Sequence, residues 1–343
     1  MNYIVTLVDR NEDFIELQYK TIKKFFISKI PFEYIVFNNA GDKKRKNNIN
    51  KICFRLGIRC VDVPSQEFYS PQKEKLSLKL MIRKIKKHKN PFILRDLYSD
   101  PSEIVSDSLN YIWNNYLKFL DGNLFWMDSD MFFVDYFDIQ KEMNNIDVLY
   151  SPQYVGKNLD TEYMWAGLYC LNLDKVHKNL DFSLGMVEDA QTDTGGYTHY
   201  FLKDKNYKKG YLTWDQLNSI KENVLEVNLD GRSKIEFTNG KVTFRQIMGI
   251  NKIFPYEKND SNYFKNMFIR YNKHREIADK YRFPQPYCFD LFRVYNSENF
   301  FMFHFRSSNW SKDLYGDGNN DYMKDKKEAL KRMIDDLVRN EKM

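Results

Sequence analysis

The opening of the chain alternates between short apolar runs and amphipathic stretches, and this alternation constrains the fold more than any other feature. The apolar runs Tyr3–Val8, Tyr34–Phe37 and Ile58–Val63 each have the length of a buried strand. Between them, Asp13–Ile27 and a segment stopped by Gly57 carry apolar residues at helical spacing. Short connections in a β-α-β-α-β order predict a Rossmann-like α/β fold with a mostly parallel sheet flanked by helices.

Polar residues follow the first two predicted strands. Ligands bind parallel sheets at the carboxyl ends of the strands, so these residues are candidates for contacts with a nucleotide. No glycine-rich phosphate loop follows the first strand, so a dinucleotide site or a P-loop is not supported. An ordinary turn explains Asn38-Asn39-Ala40-Gly41 equally well. The nucleotide-contact candidates are Asp9, Arg10, Asn38 and Asn39, together with Leu7 and Val8 at the end of the first predicted strand.

Two acids one residue apart interrupt an otherwise apolar run from Leu124 to Val134. A run of this length bounded by turn signals predicts one strand buried on both faces, on which Asp128 and Asp130 would point the same way. Two carboxylates in a dry setting repel each other unless a cation or protons compensate them. Because carboxylate oxygens suit Mg²⁺ and Mn²⁺, we predict a divalent metal site here, although a polar turn at the strand end would explain one Asp.

Positive charge is concentrated in one segment of the chain. The net charge is +6, and residues 73–89 contain seven lysines and Arg83 against one acid, Glu74, a net of +7. The remainder is therefore close to neutral, which argues against a general nucleic-acid coat. The segment predicts a basic amphipathic helix, and either a solvated surface or a face for an anionic partner explains it.

Cysteine usage and hydropathy indicate the cellular compartment in which we expect the protein. The four cysteines show no paired metal-ligand spacing and have apolar neighbours, so we expect reduced core residues in a cytoplasmic protein and no zinc site. The chain has no basic-then-apolar opening and no apolar run near 20 residues. We therefore expect neither secretion nor an integral membrane segment.

The second half of the chain is less regular but contains four predicted elements. They are a hairpin over Ile235–Phe244 with Asn239-Gly240 at its turn, a helix over Asn262–Lys280, an apolar strand over Asn299–Phe305 that contains His304, and a charged amphipathic helix over Tyr322–Arg339. A lone His at the end of an apolar strand is either a core residue or a metal ligand.

Four motifs, in order, resemble one enzyme class. The run from Asp128-Ser129-Asp130 to Val134, with Asp138-Ile139 following, resembles the GT-A glycosyltransferases, in particular the glycogenin-like and galactosyltransferase-like retaining enzymes. Trp165–Leu173 is similar to their Asn-Ala-Gly segment, and Asp215-Gln216 to their Asp-Gln motif. The segment from His304 to Trp310 is similar to their late His-Phe-x-Gly segment, whose His ligates the metal. The departures are Trp165 for Asn, Ser307 for Gly, and a shorter spacing to the final Trp.

The resemblance implies a hexosyl- or pentosyltransferase that moves a sugar from a nucleotide-sugar, expected to be a UDP-sugar, to an acceptor hydroxyl with retention. It implies Mn²⁺ or Mg²⁺ held by Asp128, Asp130 and His304, with Ser129 beside the donor. Lys79 and Arg95 are the candidates for the family's basic donor-contacting residue. The expected acceptor is a glycan, a lipid-linked saccharide or a protein. The alternative is a DNA-modifying glycosyltransferase, whose basic face over residues 73–89 would hold the phosphates of modified DNA.

Three residues are candidates for catalysis on the acceptor side. Asp193 precedes Gly195-Gly196 and is either a helix cap or a carboxylate beside the acceptor, with the glycines allowing close approach of a sugar. Asp215, beside Trp214, has the same ambiguity, and Gln216 follows it in the Asp-Gln motif.

We expect one continuous catalytic domain with two halves. Residues 1–150 form a nucleotide-sugar-binding half that ends in the acidic strand. Residues 151–343 form an elaborated acceptor-side half with the late His and the terminal helix. Two other functions stay open: a metal-dependent nuclease or phosphoesterase, against which the lack of further acids near the strand argues, and a sugar-binding module without turnover.

Overall fold

The computed structural model describes residues 1–64, 101–156, 161–204, 206–221, 224–229, 233–238, 241–246, 272–285, 287–295, 297–306 and 320–339. The predicted basic helix over residues 73–89, with Lys79, lies outside the described residues, as do Arg95 and residues 307–310 of the late motif.

The opening of the chain has the predicted β-α-β-α-β order, except that the last two residues of the predicted helix over Asp13–Ile27 form a short strand. Its elements are β1 (Asn2–Val8), α1 (Phe14–Phe25), β2 (Phe26–Ile27), β3 (Phe32–Asn38), α2 (Lys43–Leu56) and β4 (Arg59–Asp62). β1 pairs in parallel with β3, and β3 with β4. Helix α2 begins where the Asp42 side chain accepts a hydrogen bond from the Arg45 N–H at 2.8 Å. It ends at Gly57, whose φ of 66° is a left-handed conformation that costs glycine little.

The acidic run forms two strands joined by a turn. The elements here are α3 (Pro101–Asn115), a 3-10 turn (Leu117–Phe119), β5 (Asn123–Met127), β6 (Met131–Phe133), β7 (Phe137–Asp138) and α4 (Ile139–Glu142). The prediction of one strand from Leu124 to Val134 is wrong, because the chain turns at Asp128–Asp130. Aspartate favours turns, and an unbroken apolar run does not show where one strand stops and the next begins.

The rest of the described chain is mainly β-structure. The elements are β8 (Val148–Val155), β9 (Thr161–Asn172), β10 (Met186–Val187), β11 (Ala190–Gln191), α5 (Thr198–Leu202), β12 (Lys209–Lys221), β13 (Val224–Leu229), β14 (Ser233–Thr238), β15 (Lys241–Gln246), α6 (residues 272–281), β16 (Phe289–Val294), β17 (Met302–His304) and α7 (Asn320–Arg339). The predicted hairpin is confirmed, since Thr238 pairs with Lys241 in an antiparallel ladder. The predicted terminal helix is also confirmed. Of the predicted helix over Asn262–Lys280, the described part from residue 272 is helical.

The chain divides into two compact units. The first comprises Met1–Glu12, Ser28–Asp128 and Gln140–Tyr211. The strand order of its described sheet is β12-β8-β9-β5-β1-β3-β4, and β1, β3, β4 and β5 run in parallel. The core of this unit contains Trp113 from α3 and a stack of Trp126 on Tyr169 with ring centroids 5.8 Å apart. A mixed, mostly parallel sheet flanked by helices confirms the predicted α/β class.

The second unit comprises Asp13–Ile27, Ser129–Ile139 and Leu212–Met343. In its described part, β16 pairs antiparallel with both β12 and β17, and β17 pairs with β6. Direct partners in these ladders put Gln216, Asp290 and His304 in one row on one face. Asp215, paired with Leu291, belongs to the adjacent row, which faces the other way.

No helix among the described residues is both long enough and apolar enough to cross a membrane.

Candidate metal centre

Three side chains from distant parts of the sequence converge on one point. Each of Asp128, Asp130 and His304 offers one potential ligand atom, and these atoms lie within 4.8 Å of one another. Asp128 follows β5 at the carboxyl end of a parallel strand, Asp130 precedes β6, and His304 ends β17. His304 Nε2 lies 3.4 Å from Asp130 Oδ1. The structure therefore brings together the three residues that the sequence proposed as metal ligands.

Backbone contacts hold the two acids in place. The Asp128 N–H donates to the Gly167 carbonyl oxygen at 2.9 Å, and the Phe305 N–H donates to the Asp130 carbonyl oxygen at 2.9 Å. A Cβ added to Gly167 would lie 2.7 Å from Asp128 Oδ2 and 2.5 Å from the Trp165 ring. Any side chain at position 167 would therefore displace the Asp128 carboxylate and the Trp165 ring, which gives a physical reason for glycine in the Asn-Ala-Gly-like segment.

His304 also contacts a second carboxylate, that of Asp290. His304 Nδ1 donates to Asp290 Oδ2 at 2.9 Å, and Arg306 Nε donates to the same oxygen at 2.7 Å. Although burial alone would raise it, Arg306 and His304 hold the pKa of Asp290 below its ordinary value. Although burial opposes it, the carboxylates of Asp130 and Asp290 raise the pKa of His304 to about 10. Sequence reasoning missed Asp290, although an acid within Phe289-Asp290-Leu291-Phe292 is the same kind of signal as Asp128.

A buried lysine from the terminal helix supports the backbone beside His304. Lys326, on α7, is 1% exposed, and its ammonium donates to the carbonyl oxygens of Cys288 at 2.9 Å and Phe305 at 2.5 Å. Burial lowers the pKa of Lys326 to about 8. Sequence reasoning missed this residue too. Lys326 lies four residues after Tyr322 and four before Leu330, on the apolar stripe of α7. This position could have indicated that its side chain is buried.

The donor set fits a hard divalent cation. Two carboxylates and an imidazole suit Mn²⁺ or Mg²⁺, whose bonds to oxygen are about 2.0–2.2 Å long, so ligand atoms within 4.8 Å can surround one ion after small shifts. A metal-bound His usually donates its other N–H to a carboxylate or carbonyl, as His304 does. Within the part of the chain that the structure describes, no other group of three His, Cys, Asp or Glu side chains converges in this way.

The nucleotide-contact candidates occupy the carboxyl ends of β1 and β3. Asp9 and Arg10 form an exposed ion pair at 3.1 Å, whereas Leu7 is half-buried and Val8 is buried. Buried Asn38 uses its amide within the fold. Its Nδ2 donates to the Lys46 carbonyl oxygen at 3.0 Å and to Asn50 Oδ1 at 2.9 Å, and its Oδ1 accepts from the Ala40 N–H at 3.2 Å. Asn39 accepts from Ser108 Oγ at 3.2 Å, and Ser129 lies in the turn between the two metal-candidate acids. Their contacts with a nucleotide stay a prediction.

The acceptor-side candidates lie in different surroundings. Asp193 is exposed, and its carboxylate accepts from the Thr194 N–H at 2.7 Å. It is not the cap of α5, whose N-cap is Tyr197. Gly195 has a φ of 88°, and a Cβ there would lie 2.6 Å from the Met164 carbonyl oxygen, so local packing already requires this glycine. Asp215 is fully buried in the row facing away from His304, whereas Gln216 shares the row of Asp290 and His304.

No family model and no curated protein matches the chain. Solved structures to which parts of the chain are similar include a mannan synthase, a galactosyltransferase and a mannosyltransferase. Core-mannan synthase A from Aspergillus fumigatus, in its Mn/GDP form, has a TM-score of 0.34 and 14% identity, and the match covers 50% of this chain and 59% of that one. An active-site mutant of LgtC has a TM-score of 0.36 and 13% identity, with 62% of this chain and 72% of that one covered. The mannosyltransferase PcManGT from Pyrobaculum calidifontis, in complex with GDP-Man and Mn²⁺, has a TM-score of 0.35 and 9% identity, with 61% and 53% covered. Because these similarities are distant, the support for a function comes from the geometry of the site itself.

Proposed function

We propose that this protein is a metal-dependent glycosyltransferase that moves a sugar from a nucleotide-sugar to an acceptor hydroxyl. The observation that carries the proposal is the convergence of Asp128, Asp130 and His304 within 4.8 Å at the carboxyl end of a parallel strand. Ligands of α/β sheets bind at that edge. The motif order in the sequence supports the same function, since all three residues belong to segments that resemble those of retaining GT-A enzymes.

The chemistry follows from the charge that develops during transfer. As the diphosphate leaves, negative charge grows on its oxygens, and a divalent ion in this site would supply Lewis-acid stabilisation of that charge. Asp128 and Asp130 would hold the ion through carboxylate oxygens and His304 through Nε2. Asp193, Asp215 and Gln216 are the proposed residues on the acceptor side. For Gln216, the support is that it lies in the same row as Asp290 and His304.

The finer assignments are also proposals. A UDP-sugar donor, Mn²⁺ as the ion, hexosyl or pentosyl transfer and retention of configuration follow the sequence resemblance. GDP-sugars belong in the same test, because two of the solved structures named above contain GDP or GDP-mannose. The free thiols of Cys53, Cys60, Cys170 and Cys288 support a reducing, cytoplasmic location.

A thermal-shift experiment tests the donor class. UDP, GDP, UDP-glucose, UDP-galactose and GDP-mannose are added with and without Mn²⁺ to wild type, Asp130→Asn and Asp135→Asn. A ligand at 100 times its Kd stabilises the folded state by about 2.7 kcal/mol. We expect one nucleotide series to give a Mn²⁺-dependent rise in Tm, which Asp130→Asn abolishes. Asp135→Asn is the matched control, because Asp135 lies outside the cluster and accepts one local N–H at 2.7 Å, as Asn can.

Two activity assays separate the alternatives. Slow hydrolysis of the nucleotide-sugar without an acceptor, measured by chromatography of the released nucleotide, would support the transferase. Metal-dependent cleavage of bis-p-nitrophenyl phosphate, with no rise in Tm from any nucleotide, would indicate a phosphoesterase and not a transferase. If the protein binds the donor but neither hydrolyses it nor transfers its sugar to any acceptor supplied, it is a sugar-binding module.

A further inference from the structure

Asp290 is almost completely buried directly beside the candidate metal centre. It is 2% exposed and lies on β16 opposite His304 in the antiparallel ladder with β17. Its Oδ2 accepts from His304 Nδ1 at 2.9 Å and from Arg306 Nε at 2.7 Å. A buried carboxylate is costly unless charged donors compensate it, and here the donors come from the end of β17 and the residue two positions beyond it.

The bond from His304 determines which ring nitrogen is available to an ion. A ring that gives its Nδ1 proton to Asp290 keeps the lone pair of its neutral form on Nε2. Nε2 is the atom that faces the cluster, at 3.4 Å from Asp130 Oδ1. If the proton were on Nε2 instead, the ring would direct an N–H at the ion and would not bind it.

Arg306 fixes the orientation of Asp290 in turn. Its Nε and His304 Nδ1 donate to one carboxylate oxygen, so the carboxylate cannot rotate away from the ring without also losing the bond from Arg306. The backbone that carries these donors is itself held, since the Lys326 ammonium donates to the carbonyl oxygens of Phe305 and, at 3.4 Å, Arg306.

We propose that Asp290 is a positioning residue that fixes the tautomer and orientation of His304 for metal binding. The inference rests on the proposed function, because it assumes that His304 ligates the ion of that site. Residues that hold a metal-binding His in this way typically change metal affinity by about 10–100-fold when they are replaced.

The test measures Mn²⁺ affinity directly, by electron paramagnetic resonance of the free ion, in Asp290→Asn and wild type. Asn keeps the shape but removes the negative charge that accepts from both His304 Nδ1 and Arg306 Nε, so the ring is held less firmly with its proton on Nδ1. We expect the Kd for Mn²⁺ to rise by about 10–100-fold. Asp147→Asn is the matched control, because Asp147 is also buried, at 6% exposed, and accepts from the Lys208 N–H at 3.0 Å in the first unit. It should lose stability without losing Mn²⁺ affinity.

A spectroscopic measurement on wild type keeps the proposal testable if Asp290→Asn does not fold. The chain contains five histidines, so ¹⁵N-histidine labelling gives few signals, and His304→Ala assigns the relevant one. In protein loaded with Zn²⁺, which is diamagnetic and generally binds nitrogen and oxygen sites more tightly than Mn²⁺, we expect His304 to be protonated on Nδ1.

The outcomes separate this inference from the proposed function. A Kd for Mn²⁺ in Asp290→Asn within about twofold of wild type, or a proton on Nε2 in the Zn²⁺-loaded protein, overturns the positioning role while leaving the transferase proposal intact. Mn²⁺ binding with the expected loss in Asp290→Asn, but no binding of any nucleotide-sugar, overturns the transferase and supports Asp290. A wild type that binds no Mn²⁺ overturns both.

Discussion

At the scale of single residues, Gly167 shows how one missing Cβ determines where a candidate ligand lies. The Asp128 carboxylate and the Trp165 ring both occupy space that any side chain at position 167 would take. An Asp side chain moves readily, so the fold can tolerate an added methyl group. The metal centre cannot tolerate it equally, because the candidate ligand oxygen is one of the atoms that must move, together with those of the Trp165 ring.

We expect Gly167→Ala to weaken Mn²⁺ binding by about tenfold or more, equivalent to about 1.4 kcal/mol, with a smaller loss of unfolding free energy. Titration of Mn²⁺ and chemical denaturation on one preparation measure both effects. Gly210→Ala is the matched control, because a Cβ there would meet the side-chain carbons of Ile146 and Leu149, at 2.7 and 3.1 Å, and no carboxylate. Equal Mn²⁺ affinity in Gly167→Ala and wild type would show that Asp128 does not ligate the ion from this position.

Asp193 gives a second prediction at this scale. Its exposed carboxylate makes a hydrogen bond to the next residue and does not cap α5, so removing it should cost well under 1 kcal/mol of stability. If it orients the acceptor, Asp193→Ala should lower transfer strongly with nucleotide affinity unchanged. Turnover, nucleotide titration and Tm are measured beside Asp189→Ala, a change at an exposed acid four residues earlier. Normal turnover in Asp193→Ala would make Gln216 the leading acceptor-side candidate.

At the scale of elements, the C-terminal end of α2 was predictable because local chemistry defines it. A left-handed residue after the last turn is a local requirement, and Gly57 supplies it. The division of the acidic run into β5 and β6 was not predictable in this way. It depends on β6 pairing with β17, which lies far along the chain, and an apolar run does not identify its partner.

We expect Gly57→Ala to lower the unfolding free energy by about 1 kcal/mol through backbone strain alone. No atom lies within 4 Å of a Cβ added at Gly57, so steric conflict does not contribute. Gly41→Ala is the matched control, because it also has open space but is not at positive φ. It should be neutral or slightly stabilising by urea denaturation, and an equal loss in both variants would contradict the strain argument.

At the scale of the whole molecule, the sequence predicted the parallel part of the sheet better than the antiparallel part. Parallel strands in the first unit are joined by local crossovers, so their order follows from the order of elements along the chain. The second unit combines Asp13–Ile27, Ser129–Ile139 and Leu212–Met343. No local sequence pattern indicates that these three segments pack together. Asp290 and Lys326 each interrupt an apolar pattern, but that pattern does not identify the partners elsewhere in the chain that give them their roles.

The row of Gln216, Asp290 and His304 restricts where residues can be inserted into or deleted from the chain. Side chains alternate along a strand, so deleting one residue inside β16 would turn Asp290 to the opposite face and replace it with an apolar neighbour. The described residues 295 and 297–300, between β16 and β17, lie outside both ladders. Insertions and deletions compatible with the site should therefore accumulate in that connection, while the two strands keep a constant number of residues.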